Sequence, residues 1–170
     1  REVARRFNHF YGDIFPEPET LLTPTAKMPG TDGRKMSKSY GNALDIADDM
    51  KTVWDKLRTM TTDPARERRT DPGTPEKCPV WDLHKFFNKD AQEMSEIHEG
   101  CMTAGIGCVD CKKKLMVHLE KMMGPIQERR AYYEGREDDL KQILESGAAR
   151  ARAVAEKTMD DVYRVMGLLH

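Results

Sequence analysis

Asp110-Cys111-Lys112-Lys113-Lys114-Leu115-Met116-Val117-His118-Leu119-Glu120-Lys121-Met122-Met123-Gly124 repeats its apolar residues at the helical period. Leu115, Leu119, Met122 and Met123 share one inward face. The pattern predicts a helix that starts at Asp110 and stops at Gly124, with Pro125 opening the next one in its first turn. That next helix is expected to bury Ile126 and one of Tyr132 or Tyr133. Further on, Leu140, Ile143 and Leu144 lie on a helix ended by Gly147. Ala151, Val154, Ala155, Thr158, Val162 and Val165 form a last stripe ended by Gly167.

Working back from residue 110, Met94 with Ile97 marks one helix, and Val80, Leu83, Phe86 and Phe87 another. A third, capped by Asp48, carries Met50, Val53, Trp54, Leu57 and Met60. Val3, Phe7, Phe10 and Tyr11 form one face of an opening helix stopped by Gly12. Between these elements, Pro16, Pro18, Pro24 and Pro29 break the segment from Asp13 to Asn42 into loop. Pro64, Pro72, Pro75 and Pro79 do the same from Thr61 to Pro79, a loop long enough to suggest function or an anchor. No alternation of period two occurs, so the fold class is all-α with a loop-rich front end.

The chain has 170 residues, 28 Lys plus Arg against 29 Asp plus Glu, and a formal net charge of -1. That balance excludes a polycation that coats nucleic acid or anionic membrane by bulk charge. No apolar run approaches the roughly 20 residues that span a bilayer, so no membrane partner is expected. The opening at Arg1, without Met and inside a helix, reads as a piece of a longer protein. The 11 methionines sit at helical spacing and read as core filler.

Gly30-Thr31-Asp32-Gly33-Arg34-Lys35-Met36-Ser37-Lys38-Ser39 carries the most telling chemistry. Two lysines three residues apart, with hydroxyls at Ser37 and Ser39, bring cations and donors to one polyanion. Such a set stabilises the negative charge that gathers on a departing pyrophosphate. The bland counterpart is a solvated basic loop.

Cys78, Cys101, Cys108 and Cys111 are the only cysteines and fall in the spacing C-x22-C-x6-C-x2-C. Each is expected at a loop or helix end, where thiolates converge without breaking a helix interior. Four thiolates suit either a structural Zn²⁺ or a [4Fe–4S] cube. Four reduced core cysteines, or disulfides, are the competing readings. Residues 101–133 hold six basic side chains (112, 113, 114, 121, 129 and 130) against three acidic ones (110, 120 and 128). Lys112, Lys113, Lys114, Arg129 and Arg130 are therefore candidates for nucleic-acid contacts, against the plainer reading of a solvated helix face. Arg66, Arg68 and Arg69, interleaved with Glu67 and Asp71, read as ion pairs or anchors of the Pro-rich loop.

The string Lys35-Met36-Ser37-Lys38-Ser39 resembles the nucleotide loop of class I aminoacyl-tRNA synthetases at all five positions. Arg5-Arg6-Phe7-Asn8, Tyr11-Gly12, Phe15-Pro16-Glu17-Pro18, Pro29-Gly30-Thr31-Asp32-Gly33 and Tyr40-Gly41-Asn42 together resemble the tryptophanyl-tRNA synthetase family over roughly residues 1–133. The cysteine contexts at 75–81 and 107–113 resemble the bacterial subgroup that binds a [4Fe–4S] cluster, with Zn²⁺ the alternative occupant.

The resemblance implies ATP-dependent activation of L-tryptophan and transfer to tRNA(Trp), with Mg²⁺, in a cytoplasmic homodimer. It makes Lys35, Ser37, Lys38 and Ser39 catalytic and ATP-binding, adds Met36 to the ATP site, and makes Cys78, Cys101, Cys108 and Cys111 the metal ligands. It also implies that residues 1–47 are the edge of an α/β nucleotide-binding catalytic domain. Residues 48–170 would then be a helical-bundle domain that reads the anticodon region. The family's His-Ile-Gly-His motif is not in the sequence, so this stretch alone is expected to be inactive. Two readings stay open beside this one. They are a tyrosyl-tRNA synthetase fragment and a non-catalytic, metal-stabilised helical module that binds RNA or protein.

Overall fold

The structure is a computed structural model, and it describes residues 1–23, 25 and 27–168. Pro24, one of the expected loop breakers, lies outside them. Among the described residues there are six α-helices and no strand: α1 (Glu2–Tyr11), α2 (Met50–Thr59), α3 (Pro79–Phe87), α4 (Ala91–Met102), α5 (Cys108–Tyr133) and α6 (Glu137–Met166). The all-α expectation holds. None of the described helices is long and apolar enough to cross a membrane.

Two compact units divide the chain. Thr23–Ala131 contains a core of Val53, Leu57 and Met60 from α2 and its end, Val80 and Leu83 from α3, and Leu115, Leu119 and Met123 from α5. Full burial of an aliphatic side chain contributes about 1.5–3 kcal/mol, so this cluster is what binds the three helices. α5 also ties down both ends of α2. Lys112 Nζ donates to the carbonyl oxygens of Arg58, at 2.9 Å, and Met60, at 2.5 Å, beyond its C-terminus. Gln127 Nε2 donates to the Asp48 carbonyl, at 2.8 Å, before its N-terminus. The two helices therefore run antiparallel. α4 is joined to α5 through Glu93, which accepts from Lys114 Nζ at 3.0 Å and lies 2.7 Å from His118 Nε2.

The other unit comprises Arg1–Leu22 with the chain from Tyr132 onward. Its front end turns on Asn8, whose Oδ1 accepts from the backbone of Ile14 and Phe15 while Nδ2 donates to the Phe15 carbonyl. Phe7 stacks edge-on against Phe15 at 4.9 Å.

Several expectations need correcting. Asp49, not Asp48, caps α2, its carboxylate accepting from Thr52 N at 2.7 Å. Asp48 instead pairs with Lys56 Nζ at 2.5 Å. The stop at Gly124 and restart at Pro125 do not occur, because α5 runs through both. A proline removes one ladder hydrogen bond, and its neighbours on either side carry the helix on. Gly147 is likewise interior to α6. An internal glycine costs roughly 1 kcal/mol against alanine, too little to end a helix rich in alanine around it. Ile126 is exposed, as are Tyr132, Leu140, Ile143, Leu144 and Val154. The faces expected to be inward on α1 and along most of α6 are open, with Val162 the buried residue of α6.

Candidate functional site

The lysine-serine loop is built around Asn42, which is 2% exposed. Its Oδ1 accepts from Ser37 N at 2.8 Å. Its Nδ2 donates to Asp32 Oδ1, at 2.7 Å, and to the Lys35 carbonyl, at 3.2 Å. Its own carbonyl accepts from Thr31 N at 2.9 Å, so one side chain and one peptide close both arms of the loop. Gly30 lies directly beneath: a Cβ there would sit 2.4 Å from Asn42 Cγ, which explains why glycine occupies it. A bridge between Pro29 and Lys35 sets the register, and Gly41, at φ 64, closes the turn Lys38–Tyr40 in the left-handed region. The Asn42 amide is the first of the causes that hold the Asp32 carboxyl below its ordinary range, and Arg34 adds to it.

Lys35, Lys38 and Ser39 are exposed on this frame, while Met36 and Ser37 are half-buried. Among the described residues neither lysine forms an ion pair, although Asp45 senses the charge of Lys38. Arg34 is different: it pairs with Asp32 and lies 4.7 Å over the Tyr40 ring. The loop thus holds two cations without ion pairs among the described residues and two hydroxyls on a hydrogen-bonded backbone, an arrangement that can attract an anion.

The four cysteines are all free and half-buried. Burial pushes the Cys111 thiol up to about 12, with the charges of Cys78, Cys101 and Cys108 adding to the rise. Cys78 and Cys101 are raised for the same first reason, and Cys108 is felt by both. The four sulfurs are therefore electrostatic neighbours, and the thiols of Cys78, Cys101 and Cys111 are penalised as anions unless a cation joins them. Among the described residues no set of three or more His, Cys, Asp or Glu is gathered closely enough to hold a metal ion. Two nitrogen donors stand against the sulfurs. Arg66 Nη1 lies 3.7 Å from Cys101 Sγ, and His84 Nε2 lies 3.4 Å from Cys111 Sγ. His84 Nε2 also donates to the Cys111 carbonyl at 3.1 Å, and burial drives the imidazole down to about 4, so it is neutral. Gly73 closes the wall, since a Cβ there would be 2.7 Å from Cys101 Sγ. By donor chemistry alone, four thiols flanked by nitrogen donors suit a thiophilic metal group, although the described residues do not gather three of them around one ion.

The basic run separates by helical geometry. Lys112 is buried and committed to two carbonyls, so it presents no charge to a surface partner; burial lowers its pKa, opposed by the nearby cysteines. Lys113 is exposed beside Asp110 at 3.5 Å, and Lys114 pairs with Glu93. Arg129 and Arg130 are exposed farther along α5. The sequence alone does not single out Asn42 or Gly73. A histidine at the helical period of Val80 and Leu83 was the available signal for His84.

Residues 1–124 match the family described as tRNA synthetases class I (W and Y). The chain is 49% identical over 168 residues to the tryptophan–tRNA ligase of Aquifex aeolicus, covering 99% of this chain and 42% of that protein. It is 47% identical over 169 residues to the tryptophan–tRNA ligase of Thermotoga maritima, covering 99% of this chain and 52% of the relative. The crystal structure of tryptophanyl-tRNA synthetase from Campylobacter jejuni complexed with ADP and tryptophan superposes with a TM-score of 0.78. It is 31% identical, with 99% of this chain and 52% of that one covered. The chain thus spans about half the length of the curated relatives it matches. By the extent of that match, the chain belongs to the class I tRNA synthetases of the tryptophan and tyrosine group.

Proposed function

We propose that this chain is part of a tryptophan–tRNA ligase and supplies its pyrophosphate-binding loop and a helical tRNA-recognition domain. The observation that carries the reading is the Asn42-pinned loop with Lys35 and Lys38 held out and unpaired among the described residues. In the reaction, the carboxylate of L-tryptophan attacks the α-phosphorus of ATP. The bond to the bridging oxygen breaks, and pyrophosphate leaves with its added negative charge, which Mg²⁺ would help to neutralise when bound. Lys35 and Lys38 neutralise that charge, Lys38 the more strongly, while Ser37 and Ser39 donate to phosphate oxygens or brace the closed loop. Met36 packs on the nucleotide side. Tryptophan rather than tyrosine is favoured because the relatives at 49% and 47% identity are tryptophan–tRNA ligases.

Residues 1–47 belong functionally to the catalytic domain and residues 48–170 to the anticodon-binding one, in a homodimeric parent. The test is tryptophan-dependent pyrophosphate exchange by the intact ligase. Lys38→Ala should lower kcat by roughly 10²–10³-fold with little change in the KM for tryptophan. An unchanged kcat, or exchange driven by tyrosine, would reject the assignment. The 170-residue chain by itself should support no exchange.

Cys78, Cys101, Cys108 and Cys111 are proposed to hold a [4Fe–4S] cluster, with Zn²⁺ the competing occupant; when bound, the group supplies a structural cross-link for the loop and helix ends that carry them. The fit rests on the mutual influence of the thiols and on the nitrogen donors beside them. Anaerobic isolation should give a brown protein absorbing broadly at about 400 nm, and Cys108→Ser should bleach and destabilise it. A colourless protein with one zinc would settle for the alternative.

A further inference from the structure

Arg66 stands out because its burial has no ion-pair explanation. The residue is 8% exposed, in the loop between α2 and α3. Its Nη2 donates to the carbonyls of Arg69, at 3.2 Å, and Ile106, at 2.5 Å, and its Nη1 faces Cys101 Sγ at 3.7 Å. Its Nε–H is buried with no partner among the described residues. The Asp63 carboxylate senses the guanidinium only weakly, its hydrogen bonds from Thr74 and Ala65 being the larger influences. A buried cation with an orphaned donor is costly unless an anion completes it. Arg66 and Cys108 line the same cleft of about 380 Å³, and a Cβ added at Gly73 would meet both Cys101 Sγ and Arg66 Cδ. The guanidinium is therefore held by two carbonyls against the sulfur site with donors to spare.

We propose that Arg66 is the positioning and charge-balancing residue of the cysteine site, its Nη1–H and Nε–H donating to sulfur atoms of the bound group. The inference rests on the iron–sulfur reading given above. N–H···S bonds and a fixed positive charge stabilise the more negative oxidation state of a cluster, so they raise its reduction potential. Lysine at 66 would keep the charge and lose the planar fork; glutamine would lose both charge and fork.

The experiment is a spectroelectrochemical titration of the anaerobically isolated chain, with iron and sulfide assayed in every sample. Wild type should hold four of each, and R66Q should load iron yet titrate at a clearly more negative potential, with R66K between them. Iron-loaded variants with the wild-type potential would overturn the role of Arg66 and leave the cluster reading intact. Wild type without iron would overturn both. Should the variants fail to load, the reduced wild-type protein labelled with ¹⁵N-arginine keeps the question decidable. A ¹⁵N coupling to the paramagnetic cluster in electron–nuclear double resonance supports the proposal, and its absence overturns it.

Discussion

Lys112 shows how little a residue's type says about its task. Lys112, Lys113 and Lys114 are consecutive, yet one caps α2 from inside, one is solvated beside Asp110 and one pairs with Glu93. Successive helical positions are rotated by about 100°, so a run of like charges is dispersed among unlike environments. Lys112→Met should leave the carbonyls of Arg58 and Met60 without their donor and cost about 1–3 kcal/mol, read as a lower urea midpoint. Lys113→Met should stay within about 0.5 kcal/mol of wild type. The lysine-serine loop proposed as the phosphate site was legible as a pattern in the sequence because it is local: five adjacent residues carry it. Asn42 was not, because its bonds to Asp32, Lys35 and Ser37 become visible only once the turn is closed.

For the helices, the sequence announced their existence better than their ends. Of the expected stripe, Leu115, Leu119 and Met123 are buried, because apolar period and burial share one cause, whereas Met122 is exposed. Gly124, Pro125 and Gly147 misled because punctuation residues carry small penalties that a continuing helix absorbs. The join between α4 and α5 was hidden for a different reason: Glu93 is one charge among many in the sequence. In the fold its carboxyl is pushed down to about 2, first by the hydrogen bond with His118 and then by Lys114 and Asn88. A carboxylate held below its ordinary 4.5 stabilises the native state fully above that value, and the contribution is lost as pH falls towards about 2. Glu93→Gln should therefore be less stable than wild type at pH 7, and the gap between them should close over pH 4.5 to 2. Thermal melts of both proteins across that range measure it; a constant gap would contradict the assignment.

Over the whole molecule, a net charge of -1 excludes only bulk attraction. The proposed tRNA recognition would have to come from local clusters, and burial of Lys112 narrows the candidates on α5 to Lys113, Lys114, Arg129 and Arg130. Lys113→Glu combined with Arg129→Glu should weaken tRNA(Trp) binding and reduce the slope of log affinity against log salt by about one to two. Titrations at several salt concentrations give that slope, and an unaltered one would take the proposed RNA contacts off Lys113 and Arg129. The association of residues 1–22 with the chain beyond 131 was not legible beforehand. Compactness joins segments distant in sequence, and no motif links them.

The seat of Lys112 also turns a structural tie into a clock. An amine enclosed by two carbonyls cannot meet an acylating reagent until α2 and α5 part, whereas its neighbour at 113 is open to solvent at all times. Two adjacent lysines thus carry an internal standard and a reporter, and the ratio of their labelling rates measures how often this part of the chain opens.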